Sequence, residues 1–217
     1  MSKNIAVLLS GSGVFDGSEI HEAVASLIAL SKRGATIQIV APNKKQHHVI
    51  NHLTGEEMNE TRNVLVEAAR IARGSILDLT KVNTKDYDAL FIPGGFGAAK
   101  NLSSFAFEGA AGSIDPSVKN FIQAFHQAGK PIGAVCIAPA LLALALHKGS
   151  LTIGSDQGTA SALEQLGAQH SVCPVTEALV DEKNKLVTAP AYMEEAPIHQ
   201  VAEGIDKAVE AVLGLCS

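Results

Sequence analysis

The sequence predicts an α/β fold, a doubly wound and mostly parallel sheet with helices on both sides. Short apolar runs alternate along the chain with segments whose apolar residues recur at helical spacing. The first of these, a strand at 5–9, a helix at about 19–32 and a strand at 36–40, form a βαβ unit, which implies a parallel pair of strands. Proteins of this class bind ligands at the carboxyl ends of their strands, so we expect the functional site there.

The later elements continue the alternation. In chain order we expect a helix starting near residue 61, a strand at 89–92, a helix at 117–127, a strand at 131–135, a helix to about 147, a strand at 151–153, a helix at 159–166, strands at 179–181 and 185–188, and a helix at 196–213. No internal repeat and no Pro-rich or Ser-rich linker divides the chain. We therefore predict a single domain over residues 1–217.

The composition excludes several classes of protein. Hydrophobic residues make up 47% of the 217 and charged residues 18%, which is incompatible with a disordered chain. No apolar run approaches the ~20 residues of a membrane helix, and residues 1–4 lead directly into a strand, so we expect a cytoplasmic protein without a signal peptide. The net charge of −5 without a basic cluster argues against nucleic-acid binding.

Cys136 is the first candidate for catalysis. It lies in P-I-G-A-V-C-I-A-P-A-L-L, where an apolar strand ends and a helical pattern begins, and this arrangement is typical of a nucleophile on a strand-to-helix turn. Ala134 and Ala138 are small enough to pass each other in such a turn, and we expect the following helix to lower the pKa of the thiol. A buried structural cysteine is the alternative. Cys173 and Cys216 lack a reactive context, and we expect inert reduced thiols at both.

A glycine pair, Gly94 and Gly95, follows the strand at 89–92. Glycines at this place let backbone N–H groups turn towards a ligand, so the amides of Gly95 and Ile137 can form an oxyanion hole. A simple tight turn is the alternative. On the first helix, Glu22 lies three residues after Glu19, and one of the two can project into the crevice as an acid/base. The alternative for these carboxylates is favourable placement at a helix N-terminus.

Two further patterns are weak. The loop S-G-S-G-V-F-D-G has an aspartate where the dinucleotide-binding motif requires its third glycine, so a nucleotide site is disfavoured. A histidine-rich stretch, His47, His48 and His52, lacks ligand spacing, and we expect no metal site.

Together, the glutamate on the first helix, the P-G-G-F-G turn and the G-A-V-C-I-A-P segment resemble the class I glutamine-amidotransferase-like superfamily, within it the PfpI group. Five segments are similar to the ElbB branch, which is named for isoprenoid biosynthesis and described as glyoxalase-like: S-G-S-G-V-F-D-G-S-E-I-H-E-A, E-T-R-N-V-L-V-E-A-A-R-I-A-R-G, P-G-G-F-G-A-A-K-N-L-S, H-Q-A-G-K-P-I-G and C-I-A-P-A. The resemblance covers most of the chain. It implies a flavodoxin-like fold and a homodimer.

The resemblance also assigns roles. It makes Cys136 the nucleophile, Glu22 its acid/base partner, and the amides of Gly95 and Ile137 the oxyanion donors. It also implies glyoxalase activity on a small dicarbonyl substrate, with deglycase activity on glycation adducts as a further activity. No cofactor is expected. Gly94 and three residues of branch-specific segments are candidates for lining the site: Arg62, Asn63 and Lys100.

One departure bears on the reaction. Where amidotransferases and the protease-like members of the superfamily carry a histidine, this chain reads T-I-G-S-D and V-T-A-P-A-Y. A Cys-His dyad that hydrolyses amides is therefore disfavoured, whereas a cysteine with a carboxylic acid suits addition to an aldehyde. The alternative is a redox-sensing or partner-regulating protein with an oxidisable cysteine, linked to isoprenoid metabolism.

Overall fold

The computed structural model describes residues 2–216. The strands there are β1 (Asn4–Leu8), β2 (Thr36–Ala41), β3 (Val49–Ile50), β4 (Glu57–Met58), β5 (Ile76–Asp78), β6 (Ala89–Ile92), β7 (Ile132–Val135), β8 (Ser150–Leu151), β9 (Gln169–His170), β10 (Leu179–Asp181) and β11 (Leu186–Ala189).

The helices in the same part of the chain are α1 (Ile20–Lys32), α2 (Val64–Ile71), α3 (Phe96–Lys100), α4 (Phe105–Glu108), α5 (Pro116–Gln127), α6 (Pro139–Leu146), α7 (Gln157–Gln165) and α8 (Ile198–Gly214). Helix α1 packs along α8, which also contacts β7 and β11, while α5 packs on α6 and contacts β6. These helices enclose the sheet and bury its apolar residues.

Over residues 2–216 the central sheet has seven strands in the order β10-β11-β7-β6-β1-β2-β5. All neighbours are parallel except β10 and β11, which pair antiparallel. The predicted doubly wound, mostly parallel fold is therefore confirmed. Strand β6 is buried along its whole length, as expected of a parallel strand covered on both faces.

Several local predictions were wrong. The strand predicted at 151–153 is β8, which pairs with β9 outside the main sheet. The long connection after β2 contains the hairpin of β3 and β4, and the sheet edge β5 was not predicted, because it is short and only half-buried. Helix α2 begins at Val64 instead of near 61, since the side chain of Asn63 caps it by accepting from the amide of Val66.

The order of the central strands positions the site. Strands β11, β7, β6 and β1 are consecutive parallel neighbours, so their carboxyl ends lie side by side at one edge of the sheet. The segments that follow them contain Tyr192, Cys136, Gly94 and, in the first turn of α1, Glu22. Four segments that are distant in sequence thus meet at the edge where doubly wound proteins bind ligands.

Candidate active site

Cys136 occupies the turn between β7 and α6. Its φ of 60° lies in the left-handed region, which is rare for a residue with a side chain, and its amide donates to the carbonyl of Ala189 at 3.0 Å. Ala134 and Ala138 are completely buried on either side of it. The strained strand-to-helix turn predicted from the sequence is present, and the residue is 93% buried, with an exposure of 7%.

Glu22 is the acidic partner of this cysteine. It is completely buried, and one of its carboxyl oxygens lies beside the side chain of Cys136, since a Cβ on Gly94 would be within 3 Å of both that oxygen and the sulfur. One carboxyl oxygen accepts from the amide of Gly94 at 3.0 Å and the other from the amide of Tyr192 at 3.1 Å. Two backbone donors therefore hold the carboxyl group against the sulfur from the ends of β6 and β11.

Burial controls the protonation of this pair. It raises the pKa of Glu22 to about 8, helped by the negative charge of Glu19. Burial and the carboxylate of Glu22 also raise the pKa of Cys136, against the effect of the amides of Gly95 and Ile137. The prediction that the following helix lowers the pKa of the thiol was therefore wrong, because the favourable amides are outweighed by the loss of water and by a neighbouring negative charge.

The two amides named as oxyanion donors lie at the sulfur. The backbone groups of Gly95 and Ile137 both hydrogen-bond to the side chain of Cys136. Gly95 has a φ of 94°, and an added Cβ there would lie 2.7 Å from the carbonyl carbon of Ser18, so only glycine fits. Their role as oxyanion donors stays a prediction, but both N–H groups converge on the atom beside which an oxyanion would form.

Gly94 makes the contact between Glu22 and Cys136 possible. A Cβ on this residue would overlap the Cβ of Cys136 and would lie 2.7 Å from a carboxyl oxygen of Glu22 and 2.9 Å from the sulfur. Its missing side chain therefore provides the space that the two reactive groups share. The two-glycine turn after β6 is required by packing on the site, which goes beyond the tight turn considered as the alternative.

A second layer of polar groups surrounds Glu22. Glu19 is also buried and accepts from the amide of Glu22 at 2.6 Å, so it caps α1 instead of projecting into solvent. The exposed ring of His21 lies 3.0 Å from the hydroxyl of Tyr192 and 3.8 Å from the carboxylate of Glu19. Sequence reasoning missed Tyr192, because its contact with Glu22 is made by the backbone, which carries no residue-type signal.

The three remaining candidates have other partners. Arg62 forms ion pairs with Glu60 and Glu67, and Asn63 caps α2. The ammonium group of Lys100 donates to the carbonyl of Phe15 at 2.8 Å and lies 5.0 Å from the centre of the Phe96 ring. Of the three, Lys100 alone therefore touches a residue adjacent to Gly95. Direct participation of Arg62, Asn63 or Lys100 in the site stays a prediction.

Asn101 is a structural residue that the sequence analysis did not single out. It is buried, its amide nitrogen donates to the carbonyls of Ser10 at 2.9 Å and Asp16 at 2.8 Å, and its carbonyl accepts from the amide of His47. It therefore fastens the loop before α1 to the segment before β3. The only available signal was its place at the end of the P-G-G-F-G-A-A-K-N segment.

The other titratable clusters lie elsewhere. Among residues 2–216, no group of three or more His, Cys, Asp or Glu side chains is placed to hold a metal ion. Cys173 is buried and Cys216 half-buried, and burial raises the pKa of each thiol. A cavity of about 570 Å³ runs along α1 and α8, but neither Cys136 nor Glu22 lines it.

The fold and this site define a class of protein: a class I glutamine amidotransferase-like sheet that holds a cysteine and a buried glutamate at the carboxyl ends of its strands. Residues 7–196 match the model of the DJ-1/PfpI family. The chain belongs to this family. In the same part of the chain that the structure describes, no helix is long and apolar enough to cross a membrane.

Three similar proteins extend the comparison. The human protein "Glutamine amidotransferase-like class 1 domain-containing protein 3, mitochondrial" is 50% identical over 221 residues, covering 97% of this chain and 82% of its own. The crystal structure of an isoprenoid biosynthesis protein with an amidotransferase-like domain from Ehrlichia chaffeensis is 38% identical with a TM-score of 0.91, covering 97% and 99% of the two chains. Glyoxalase III from Candida albicans has a TM-score of 0.64, and the match covers 99% of this chain and 98% of that one. At 17% identity, this likeness shows the shared fold alone.

Proposed function

We propose that the protein is a cofactor-independent glyoxalase that converts glyoxal, and methylglyoxal with it, into the corresponding 2-hydroxy acid. The observation that carries the proposal is the contact of the buried Glu22 with Cys136: a carboxyl oxygen and the sulfur both lie within 3 Å of the place that a Cβ on Gly94 would take, and two backbone amides lie at the sulfur. The family and the fold shared with a glyoxalase III support it. A thiol beside a carboxyl group suits an electrophilic aldehyde, whereas a stable amide normally needs an imidazole.

The first step is addition of sulfur to the aldehyde carbon. The ionised fraction of Glu22 takes the thiol proton as the sulfur of Cys136 attacks, and the aldehyde oxygen becomes an oxyanion that the amides of Gly95 and Ile137 receive. Protonation of this oxygen gives a hemithioacetal. A pKa of about 8 suits Glu22 to the task, because a group that titrates near the working pH both accepts and returns a proton.

The second step is an internal redox change that needs no outside oxidant. Glu22 removes the proton from the hemithioacetal carbon, giving an enediol, and returns a proton to the neighbouring carbon. The former aldehyde carbon is thereby oxidised to a thioester and its neighbour reduced to an alcohol. Water then displaces the thiol of Cys136, and the product is the 2-hydroxy acid: glycolate from glyoxal, lactate from methylglyoxal.

The finer assignments belong to the same proposal. Deglycase activity on early glycation adducts would follow from the same addition step. Membership of the ElbB branch is supported by the 38% identity to the Ehrlichia protein, which is described as an isoprenoid biosynthesis protein. The homodimer stays a prediction. The cytoplasmic location also remains a proposal, since the human relative is named mitochondrial.

The test is glyoxal consumption by purified wild type without glutathione, with glycolate quantified. Cys136→Ala and Glu22→Gln should each reduce turnover by about 100-fold or more. The first variant lacks the nucleophile, and the second lacks the group that accepts and returns the proton. Cys173→Ala is the matched control, a buried cysteine in another part of the chain, and should keep wild-type turnover. Wild-type turnover in both site variants would disprove the assignment.

The geometry disfavours the redox-sensing alternative. An oxidisable sensor needs an exposed thiol with a lowered pKa, but Cys136 is buried and its pKa is raised. One feature favours it: a protonated Glu22 can donate to a sulfinic acid on Cys136. Intact mass after dilute peroxide tests the sensor, since absence of oxygen addition at Cys136 excludes it.

A further inference from the structure

Tyr192 contacts helix α1 at two points. Its backbone amide donates to a carboxyl oxygen of Glu22 at 3.1 Å, and its hydroxyl oxygen lies 3.0 Å from Nδ1 of His21. His21 and Glu22 are consecutive on α1, and the first is exposed while the second is completely buried. Tyr192 therefore connects the surface of α1 with the carboxyl group that lies beside Cys136.

The backbone that carries this amide is strained. Ala191, directly before Tyr192, has a φ of 47°, which is rare for a residue with a Cβ, and it opens the single 3₁₀ turn Ala191–Met193. Backbone in this region persists only where its surroundings hold it. Within residues 2–216, the hydrogen bonds that join this turn to α1 are the two made by Tyr192. The outer bond to His21 therefore supports the inner bond to Glu22.

We propose that His21 is a positioning residue for the proposed reaction: by accepting from the hydroxyl of Tyr192, it keeps the amide of Tyr192 on the carboxyl group of Glu22. The inference rests on the proposed function and adds a residue that acts through Tyr192. Burial and the charges of Glu19 and Glu22 raise the pKa of Tyr192, so its hydroxyl stays protonated and donates to the neutral ring. The amide of Tyr192 in turn lowers the pKa of Glu22, so a loosened turn leaves this carboxyl group harder to ionise.

The charge of His21 is a second way in which this residue could act on Glu22. The other titratable groups at Glu22 are Cys136 and Glu19, and the carboxylate of Glu19 lies 3.8 Å from Nδ1 of His21. Three further charged side chains line the cavity that His21 borders: Lys32, Glu203 and Asp206. A protonated His21 would offset the negative charge of Glu19 without any hydrogen bond to Tyr192. Tyr192→Phe separates the two effects, because it removes the hydrogen bond and leaves the imidazole in place.

The first test is the pH dependence of kcat/KM for glyoxal. In His21→Ala and in Tyr192→Phe the rise should move to higher pH, so that kcat/KM falls about fivefold at pH 7 and less at pH 9.5, because one hydrogen bond contributes about this factor. The double variant should match the single ones, since all three lack the same bond. His21→Asn, whose amide can take the place of Nδ1, should recover most of the shift.

The matched control is His199→Ala, which removes an exposed histidine from α8 and should keep the wild-type profile. A shift in His21→Ala without one in Tyr192→Phe would mean that His21 acts through its charge, and this result overturns the inference. An equal loss of kcat/KM at every pH in both variants also overturns it, because the ionisation of Glu22 would then be unaffected.

A second measurement needs no turnover. The carboxyl group of Glu22 is titrated by carbon-13 NMR in protein labelled at the glutamate Cδ, with Glu22→Gln identifying its signal. We expect its pKa, about 8 in wild type, to rise in His21→Ala and Tyr192→Phe and to stay unchanged in His199→Ala. If wild type consumes no dicarbonyl but shows this rise, the glyoxalase proposal fails while the positioning role of His21 stands. An unmoved pKa in Tyr192→Phe overturns the inference and leaves the glyoxalase proposal standing.

Discussion

The carboxyl group of Glu22 on α1 lies against the side chain of Cys136 at the end of β7, in a place where both are buried. Backbone amides from Gly94 and Tyr192 fix the carboxyl group from two other strand ends. Proton transfer between the two side chains therefore needs no rearrangement of the protein. Since desolvation disfavours a negative charge on either group, the pair is stable while protonated and becomes reactive as Glu22 ionises.

The pH dependence of turnover follows from this arrangement. If ionised Glu22 is the base, kcat/KM for glyoxal should rise about tenfold per pH unit below the pKa and level off above about pH 8. Glu22→Gln should lose this rise together with most of the activity. The measurement is kcat/KM from pH 5.5 to 9.5 in buffers of constant ionic strength. A wild-type profile that is flat from pH 5.5 to 8 would exclude Glu22 as the base.

Burial sets most of the position of that rise, and Glu19 shifts it further to high pH. The negative charge of its carboxylate raises the pKa of Glu22. The same carboxylate also accepts a hydrogen bond from the backbone amide of Glu22. Glu19→Gln removes the charge while the amide oxygen still caps α1, so the pKa of Glu22 should fall and the rise in kcat/KM should move to lower pH. A profile with an unmoved midpoint would show that Glu19 acts through its hydrogen bond alone.

Stability should also depend on Glu22. A carboxyl group whose pKa is about 8 in the folded protein and 4.5 as the unperturbed value binds its proton more tightly when folded, so its contribution is fully present below pH 4.5 and is lost between pH 4.5 and 8. Within this window the free energy of unfolding of Glu22→Gln should rise relative to that of wild type by up to about 1.4 kcal/mol per pH unit. Urea unfolding at pH 5 and pH 8 measures the difference, with Glu164→Gln at an exposed position as control. An equal difference at both pH values would contradict the burial argument.

Sequence reasoning succeeded where local pattern and topology suffice. Alternating strand and helix periodicity predicted the parallel sheet, and the strand-to-helix pattern placed Cys136 at the carboxyl end of a strand. The choice of Glu22 over Glu19 came from the family resemblance, because both lie on one side of α1 near its start. The pKa of Cys136 was predicted in the wrong direction, because burial depends on all the segments that cover a residue. The roles of Tyr192 and Asn101 were missed for a related reason: each acts through contacts to distant backbone, which residue types do not reveal.

The space at Gly94 offers the sharpest steric test of the site. Gly94→Ala places a Cβ against the Cβ of Cys136 and within 3 Å of both its sulfur and a carboxyl oxygen of Glu22. The Cβ of Cys136 is fixed by the backbone, and the amides of Gly94 and Tyr192 hold the carboxyl group. Separating the pair by even 1 Å should reduce turnover about 100-fold, and the overlap should lower the free energy of unfolding by about 1–3 kcal/mol. Gly214→Ala is the control, since a Cβ there meets nothing within 4 Å. Glyoxal turnover and urea unfolding measure both effects, and wild-type turnover in Gly94→Ala would mean that catalysis does not depend on the contact between Glu22 and Cys136.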